Sequence, residues 1–402
     1  MISIWLLLLV TKVWEQRKLL SNIESIIDYR GKTPKKLGLS WNGEREYPAL
    51  SAVNVENGKI NLSKTEHFGD AYLFSKWMKK ALKLGQVILT TEAPVGNVAQ
   101  IKEKKHYILS QRVIAFETDK NLLDDFLYFL LQRNNSTLLR YSTGGTAKGI
   151  SQKSLKQVKI NLTPNISEQK QISQLLNVVK NLITLYERKT RLLGKVRTFL
   201  TQRLFSNSSK VSLYFDNKNW SEHKISEFLT ERNEKVVPNS SIPLVSFTVE
   251  KGVTPKSKRY NREFLVKDDN KKYKITKKDD IVYNPANLKF GAIARNKFGN
   301  AAFSPIYVTF ITKLNPAFTE FLVRRKNFIN LALKYQEGTV YERMAVKSKD
   351  FLNLKIYLPN SSRDINHIAQ ILQSLDTLVS LNKNKVSLIT LIKKELLNTM
   401  FI

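Results

Sequence analysis

The residues Asn284, Pro285, Ala286 and Asn287 come nearest to a catalytic signature anywhere in this 402-residue chain. An adenine methyltransferase extrudes its target base and stacks it on the aromatic residue of an Asp/Asn-Pro-Pro-Tyr/Phe motif. Here the second proline and the aromatic are both missing, and no Phe-x-Gly-x-Gly cofactor loop lies upstream. Asn and Pro in their usual roles predict a turn at a strand end instead. The acidic pairs are no better placed for chemistry. Asp124-Asp125 reads as a helix start and Asp279-Asp280 as a solvated turn, rather than as a nuclease metal site. No GxxxxGK[ST] phosphate loop occurs. The chain has no cysteine, which removes thiolate nucleophiles and sulfur-based zinc sites and fits a reducing cytoplasm. His67, His106, His223 and His367 lie far apart, without metal-ligand spacing. The expectation is a chain with no catalytic residue and no metal of its own.

What the chain does carry is charge. Its 66 Lys and Arg against 34 Asp and Glu give a net charge of +32. Residues 1–205 hold +17 of it and the remainder +15, a nearly even division. A basic surface of this size attracts polyanions, of which nucleic acid is the commonest. An AT-rich genome would enrich lysine, but it would not by itself suppress Asp and Glu. No helix combines a basic face with a lipid-type apolar face, so a membrane is not expected as partner. The opening MISIWLLLLV is too short for the ~20 residues of a spanning helix and lacks the flanks of a signal peptide. A buried strand or a misassigned start codon accounts for it better.

The elements that would position binding residues are written twice. At a constant offset of 196, Ile172 matches Ile368, Leu176 matches Leu372, Leu182 matches Leu378, Leu192 matches Leu388, Leu200 matches Leu396 and Phe205 matches Phe401. Each copy follows a basic globular stretch. Trp14 with EQRKLLSNI returns as Trp220 with SEHKISEFL, and QVILTTEAPVGNVA returns as DIVYNPANLKFGAIA. The fold class expected is α+β: two globular recognition domains in a pseudo-two-fold arrangement, separated by two long antiparallel coiled-coil helices. The domains are placed at 1–166 and 220–361, the helices at 167–206 and 362–402, with a Ser/Asn-rich linker at 207–219. Ser167 is the expected helix cap. The heptad seam is read as Ile172, Leu175, Val179, Leu182, Tyr186, Leu193, Val196 and Leu200, with Ile368, Ile371, Leu375, Leu378, Asn382, Ile389, Ile392 and Leu396 opposite.

In the duplicated order of these motifs the chain resembles the specificity subunits of Type I restriction–modification systems, from about Val13 to Ile402. The WEQRKL opening, the two long repeat helices, YNPANLKFGAIA, and the loops GGTAKGISQKSLKQVKI and GTVYERMAVKSKDFLNLKIYLP carry the resemblance. The apolar lead before Trp14 departs from the polar one usual in the family. The resemblance implies a non-catalytic, cytoplasmic subunit that binds double-stranded DNA, each domain reading one half of a bipartite asymmetric target. The helices would set the spacing and dock two methyltransferase subunits, and through them the restriction/translocase subunits. S-adenosylmethionine, ATP and Mg would belong to those partners, with no cofactor on this chain. The alternative is a stand-alone sequence-specific or architectural DNA-binding protein.

Phosphate contacts should come from Lys and Arg, and base reading from Arg, Lys, Asn, Gln and Glu. In the first domain the candidates are Arg30, Lys32, Thr33, Lys35 and Lys36, then Glu92 and Asn97, then Gln111 and Arg112, then Thr146 and Lys148. In the second they are Thr254, Lys256, Lys258, Arg259 and Tyr260, then Asn287 and Lys289, then Tyr341 and Arg343.

Overall fold

A computed structural model describes residues 14–41, 43, 45–145, 148–205, 220–255, 272–337 and 344–401. The chain divides into two units, one of residues 1–186 with 385–402, the other of 187–384. The division falls inside both long helices, α1 (Ile166–Leu204) and α2 (Ser362–Met400). The N-terminal leader and the linker residues 207–219 lie outside the described residues.

The first unit is built on a four-stranded antiparallel sheet. Its strands are β1 (Ile23–Asp28), β2 (Val87–Thr91), β3 (Val95–Gln100) and β4 (Val113–Thr118), in the spatial order β1-β4-β2-β3. β2 and β4 are the inner strands, and their Val, Ile, Leu and Phe residues are buried on both faces, as inner strands covered on both sides require. A helix over Asp124–Arg133 buries Phe126 through Leu131 against this sheet, its two aspartates in the first turn as the macrodipole favours. A short ribbon pairs Glu15–Lys18 with Lys159–Leu162.

The second unit repeats this plan. Strands β5 (Leu229–Glu231), β6 (Ile281–Tyr283), β7 (Ile293–Arg295) and β8 (Val308–Thr312) run in the order β5-β8-β6-β7. The ribbon is Trp220–Lys224 with Lys355–Pro359, and the covering helix is Pro316–Val323. The smaller sheets differ. The first unit has a three-stranded sheet containing a parallel pair, Tyr47–Leu50 with Ile108–Leu109, while the second has an all-antiparallel three-stranded sheet.

The long helices are held to their domains by burial. In the first unit, Ile172 and Leu176 from the start of α1 join Met400 and Phe401 from the end of α2 in one core. In the second, Phe205, which follows α1, joins Ile365, Ile368 and Leu372 from the start of α2. Within each unit the start of one helix therefore packs with the end of the other, which is the antiparallel order. The recurring tryptophan belongs to this anchorage. The Trp14 ring lies 5.9 Å from Phe401, and its Nε1 donates to Glu168 Oε1 at 3.2 Å. Glu168 is buried and also accepts from Thr163 Oγ1 at 2.6 Å.

Two sequence expectations change here. The cap of α1 is Asn165, whose Oδ1 accepts from the amides of Ser167 and Glu168, so the helix begins before Ser167. The heptad is two faces rather than one seam. Ile172, Leu176 and Val179 are buried, whereas Leu175 and Leu182 are exposed, in line with Val178 and Leu185. The spacing 175, 178, 182, 185 is itself a 3–4 repeat, about a quarter-turn round from the buried one. In the second unit, Leu192, Val196 and Phe199 continue the exposed spacing. On α2, Ile371, Leu378 and Leu381 in the second unit and Leu388 and Ile392 in the first are exposed at the matching positions.

Both helices also lay a lysine over the buried helix of the first unit. Lys180 Nζ is 4.3 Å from the Tyr128 ring centre, and Lys393 Nζ is 5.8 Å from that of Phe129. Burial, with help from Lys102 and Lys393, pushes Lys180 down to about 8. The folded pKa lies below the unfolded one, so the unfolded chain binds more protons between these values. Stability should therefore rise with pH from about 8 to about 10.5. The cost of the charge at pH 7, discounted for the water that still screens it, is about 1 kcal/mol. Lys180→Met should raise the melting temperature at pH 7 by about 2–4 °C and flatten that rise; a lower melting temperature at pH 7 would contradict it.

Candidate nucleic-acid interface

Strand register brings the candidate loops to one end of each four-stranded sheet. In the first unit Asp28 pairs with Ile114, Thr90 with Val113, and Thr91 with Val95. The loop after β1, the β2–β3 turn and the approach to β4 therefore emerge side by side. The glycine-rich loop joins them, since Gly149 bridges both Thr143 and Glu92, and the Ile150 amide donates to Thr91 O at 2.8 Å. In the second unit Glu231 pairs with Phe310, Tyr283 with Val308, and Tyr283 with Ile293. Its matching loop closes as a bridge between Glu337 and Ala345, and the Val346 amide donates to Pro285 O. The same four-loop cluster thus recurs.

In the first unit these loops surround a cavity of about 310 Å³ lined by Lys32, Thr33, Gln111 and Arg112, with Trp41 and His67 stacked 5.4 Å apart on its wall. Gln111 and Arg112 are exposed. Arg112 has φ +64, in the left-handed region, and its carbonyl accepts from the Thr91 amide at 2.8 Å, which fixes the turn before β4. Arg112 Nε stands 3.6 Å from Glu92 Oε2, a loose, solvated pair that leaves both side chains available. Lys32 lies over the Tyr29 ring at 4.8 Å, while Lys35 and Lys148 are exposed.

Three candidates are engaged within the protein. Arg30 pairs with Asp28 at 2.5 Å and donates to Ile150 O at 3.2 Å, holding the loop after β1 to the glycine-rich loop. Burial raises the Asp28 carboxyl, but hydrogen bonds from Arg30 and Gln152 outweigh it and keep its pKa below the ordinary value. Lys36 Nζ donates to Gly31 O at 2.6 Å. Asn97 Nδ2 donates to Val55 O at 2.9 Å and its amide to Thr90 Oγ1, so this residue works as a bracket between strands.

In the second unit, Asn287 and Lys289 are exposed on a 3-10 turn over Pro285–Phe290, between β6 and β7. Asn284 caps that turn, its Oδ1 accepting from the amides of Ala286 and Asn287, so Asn284-Pro285-Ala286-Asn287 is the turn its composition predicts. Thr254 sits on the strand Gly252–Pro255. Thr146, Lys256, Lys258, Arg259, Tyr260, Tyr341 and Arg343 lie outside the described residues.

Asp280 corrects the reading of a solvated turn. It is buried and takes a two-pronged contact from Arg232, Nε to Oδ2 at 2.8 Å and Nη2 to Oδ1 at 3.0 Å. Among the described residues no group of three or more His, Asp or Glu gathers as a metal site, and no helix is long and apolar enough to cross a membrane.

Residues 13–193 match the family model of the Type I restriction modification DNA specificity domain. A putative Type I restriction enzyme MjaX specificity subunit of Methanocaldococcus jannaschii is 23% identical, over 96% of this chain and 92% of its own length. The MjaVIII specificity subunit of the same organism is 24% identical, over 87% of each. Among solved structures, the S subunit of a Type I restriction–modification system from M. genitalium superposes with a TM-score of 0.64, at 16% identity, covering 98% of this chain and 97% of the other. That likeness extends the shared fold across both units.

Proposed function

We propose that this chain, which belongs to the specificity-subunit family of Type I restriction–modification systems, reads a bipartite DNA target and leaves the chemistry to its partners. The observation that carries the proposal is one loop cluster presented twice on the same sheet plan with different side chains. A shared plan gives both units one way of meeting duplex DNA, and different side chains give them different bases to read. The net charge of +32 supplies the sequence-independent attraction to phosphates.

The long helices serve as spacer and dock. Each has 39 residues, about 58 Å at 1.5 Å per residue. Their exposed apolar stripes are of the kind that marks a protein–protein contact. Two similar stripes suit two copies of one partner, a methyltransferase subunit, to which the restriction/translocase subunits attach. In this reading S-adenosylmethionine, ATP and Mg are bound by those partners, none by this chain, and the complex works in the cytoplasm.

The test is capture from native cells with the full chain tagged. An adenine methyltransferase should co-purify, and the methylome should show a split motif. Leu185→Asp with Leu381→Asp, both on the exposed stripes, should abolish capture while duplex binding persists. Binding of a split target with no methyltransferase ever captured would instead establish the stand-alone DNA-binding reading.

A further inference from the structure

Two apolar side chains stand exposed at the loop end of the second unit's four-stranded sheet. Phe290 is 64% exposed at the end of the turn between β6 and β7, and Ile306 is 60% exposed just before β8. The ladder pair Tyr283–Val308 places both loops at the same end of the sheet. By strand register Ile306 stands where the first unit presents Arg112, whereas Phe290, just before Gly291, stands where the first unit buries Val95, just before Gly96.

Neither side chain sits on slack chain. Leu288 is fully buried in the core beneath the Phe290 turn, Asn284 caps its start, and Gly291, at φ +82, closes it with an amide hydrogen bond to Leu288 O at 2.8 Å. Ile306 occupies the third position of a β-turn, with Pro305 second and the Tyr307 amide donating to Ser304 O at 3.1 Å. Lys289 Nζ lies 5.0 Å from the Phe290 ring centre, so a phosphate-seeking cation travels with the ring. Rigidly presented apolar surface is costly to leave in water and useful only against another apolar group. On duplex DNA the apolar group exposed in the major groove is the thymine 5-methyl.

Resting on the reading of this chain as a DNA-sequence reader, we propose that the second unit recognises its half-target by apolar contact of Phe290, flanked by Ile306, with a thymine methyl. The first unit has no exposed apolar side chain at either place and presents the hydrogen-bonding Arg112 where Ile306 stands. The two halves of the target then differ in the chemistry of recognition as well as in sequence.

The test uses the full chain and duplexes carrying the split motif read from the methylome, with each thymine replaced in turn by uracil, which removes only the methyl. Binding of the wild-type chain should weaken about 3- to 5-fold at one thymine of one half, the worth of a buried methyl. Phe290→Ala should bind more weakly and be indifferent to that replacement, and Phe290→Leu should keep part of the sensitivity. Exchange at the other half should act equally on wild type and variant. A half-target without thymine on either strand, or a Phe290→Ala chain as sensitive as wild type, overturns the proposal while leaving sequence reading intact. Absence of any sequence preference by the wild-type chain overturns the underlying reading and this proposal with it.

Discussion

Asp280→Ala is expected to destabilise the second unit by about 3–5 kcal/mol, because it leaves a buried guanidinium without its carboxylate. Arg232 is only 8% exposed and Asp280 3%. Arg232 follows β5 and Asp280 precedes β6, so the pair ties together the two strands that flank β8. Asp280 Oδ2 also accepts from the Lys277 amide at 2.7 Å, and Arg232 Nη1 reaches Glu234 at 2.7 Å. Glu234 is half exposed and too well solvated to replace the lost partner. Urea denaturation followed by limited proteolysis should show the second unit's transition moving to lower denaturant while the first unit's stays in place. Replacing both partners, Arg232→Met with Asp280→Leu, should recover most of the loss, since an apolar pair of similar volume needs no desolvation of charge. A shift below about 1 kcal/mol for Asp280→Ala would mean that water reaches the guanidinium, and the pair would then be an ordinary surface contact.

That pair also marks where the sequence stops being legible. Repetition at a fixed offset could be read directly, because buried apolar positions such as Ile172 and Ile368 must recur wherever the same packing recurs. The turn at Asn284 followed from local chemistry alone, since Asn and Pro act through their own backbone. Asp279-Asp280 looked equally local, yet the partner of Asp280 is 48 residues away, and no local pattern announces a contact at that separation. That Asn97 and Arg30 are engaged within the protein is hidden from the sequence for the same reason. Their partners, Val55 O and Ile150 O, are brought to them by sheet register and loop docking. The α1 seam was misread because two 3–4 repeats lie on one helix, and both satisfy a heptad until burial separates Leu176 from Leu175. Phe290 and Ile306 escaped notice because an isolated Phe or Ile signals core. Only their exposure on capped turns reveals otherwise.

Arg112 is the residue at which loss of one side chain should be felt most on DNA. Arg112→Ala should weaken binding to the cognate duplex about 10- to 100-fold and relax preference at one base pair of one half-target, the worth of a bidentate contact to a base edge. Its present neighbour offers little competition, since Glu92 is 3.6 Å away and both side chains are solvated. Arg112→Lys should recover the phosphate attraction but not the preference, because an ammonium cannot match two acceptors at once. The left-handed backbone at φ +64 supplies a separation that alanine cannot. Glycine adopts that conformation freely, so Arg112→Gly should leave thermal stability unchanged or slightly raised, while binding falls as far as in Arg112→Ala. Loss of binding in a chain no less stable places the effect at the interface rather than in the fold. The second half-target should be read as before, since its loops belong to a unit with its own sheet and core. Equal loss of preference at both halves would refute independent reading by the two units, whatever the size of the loss.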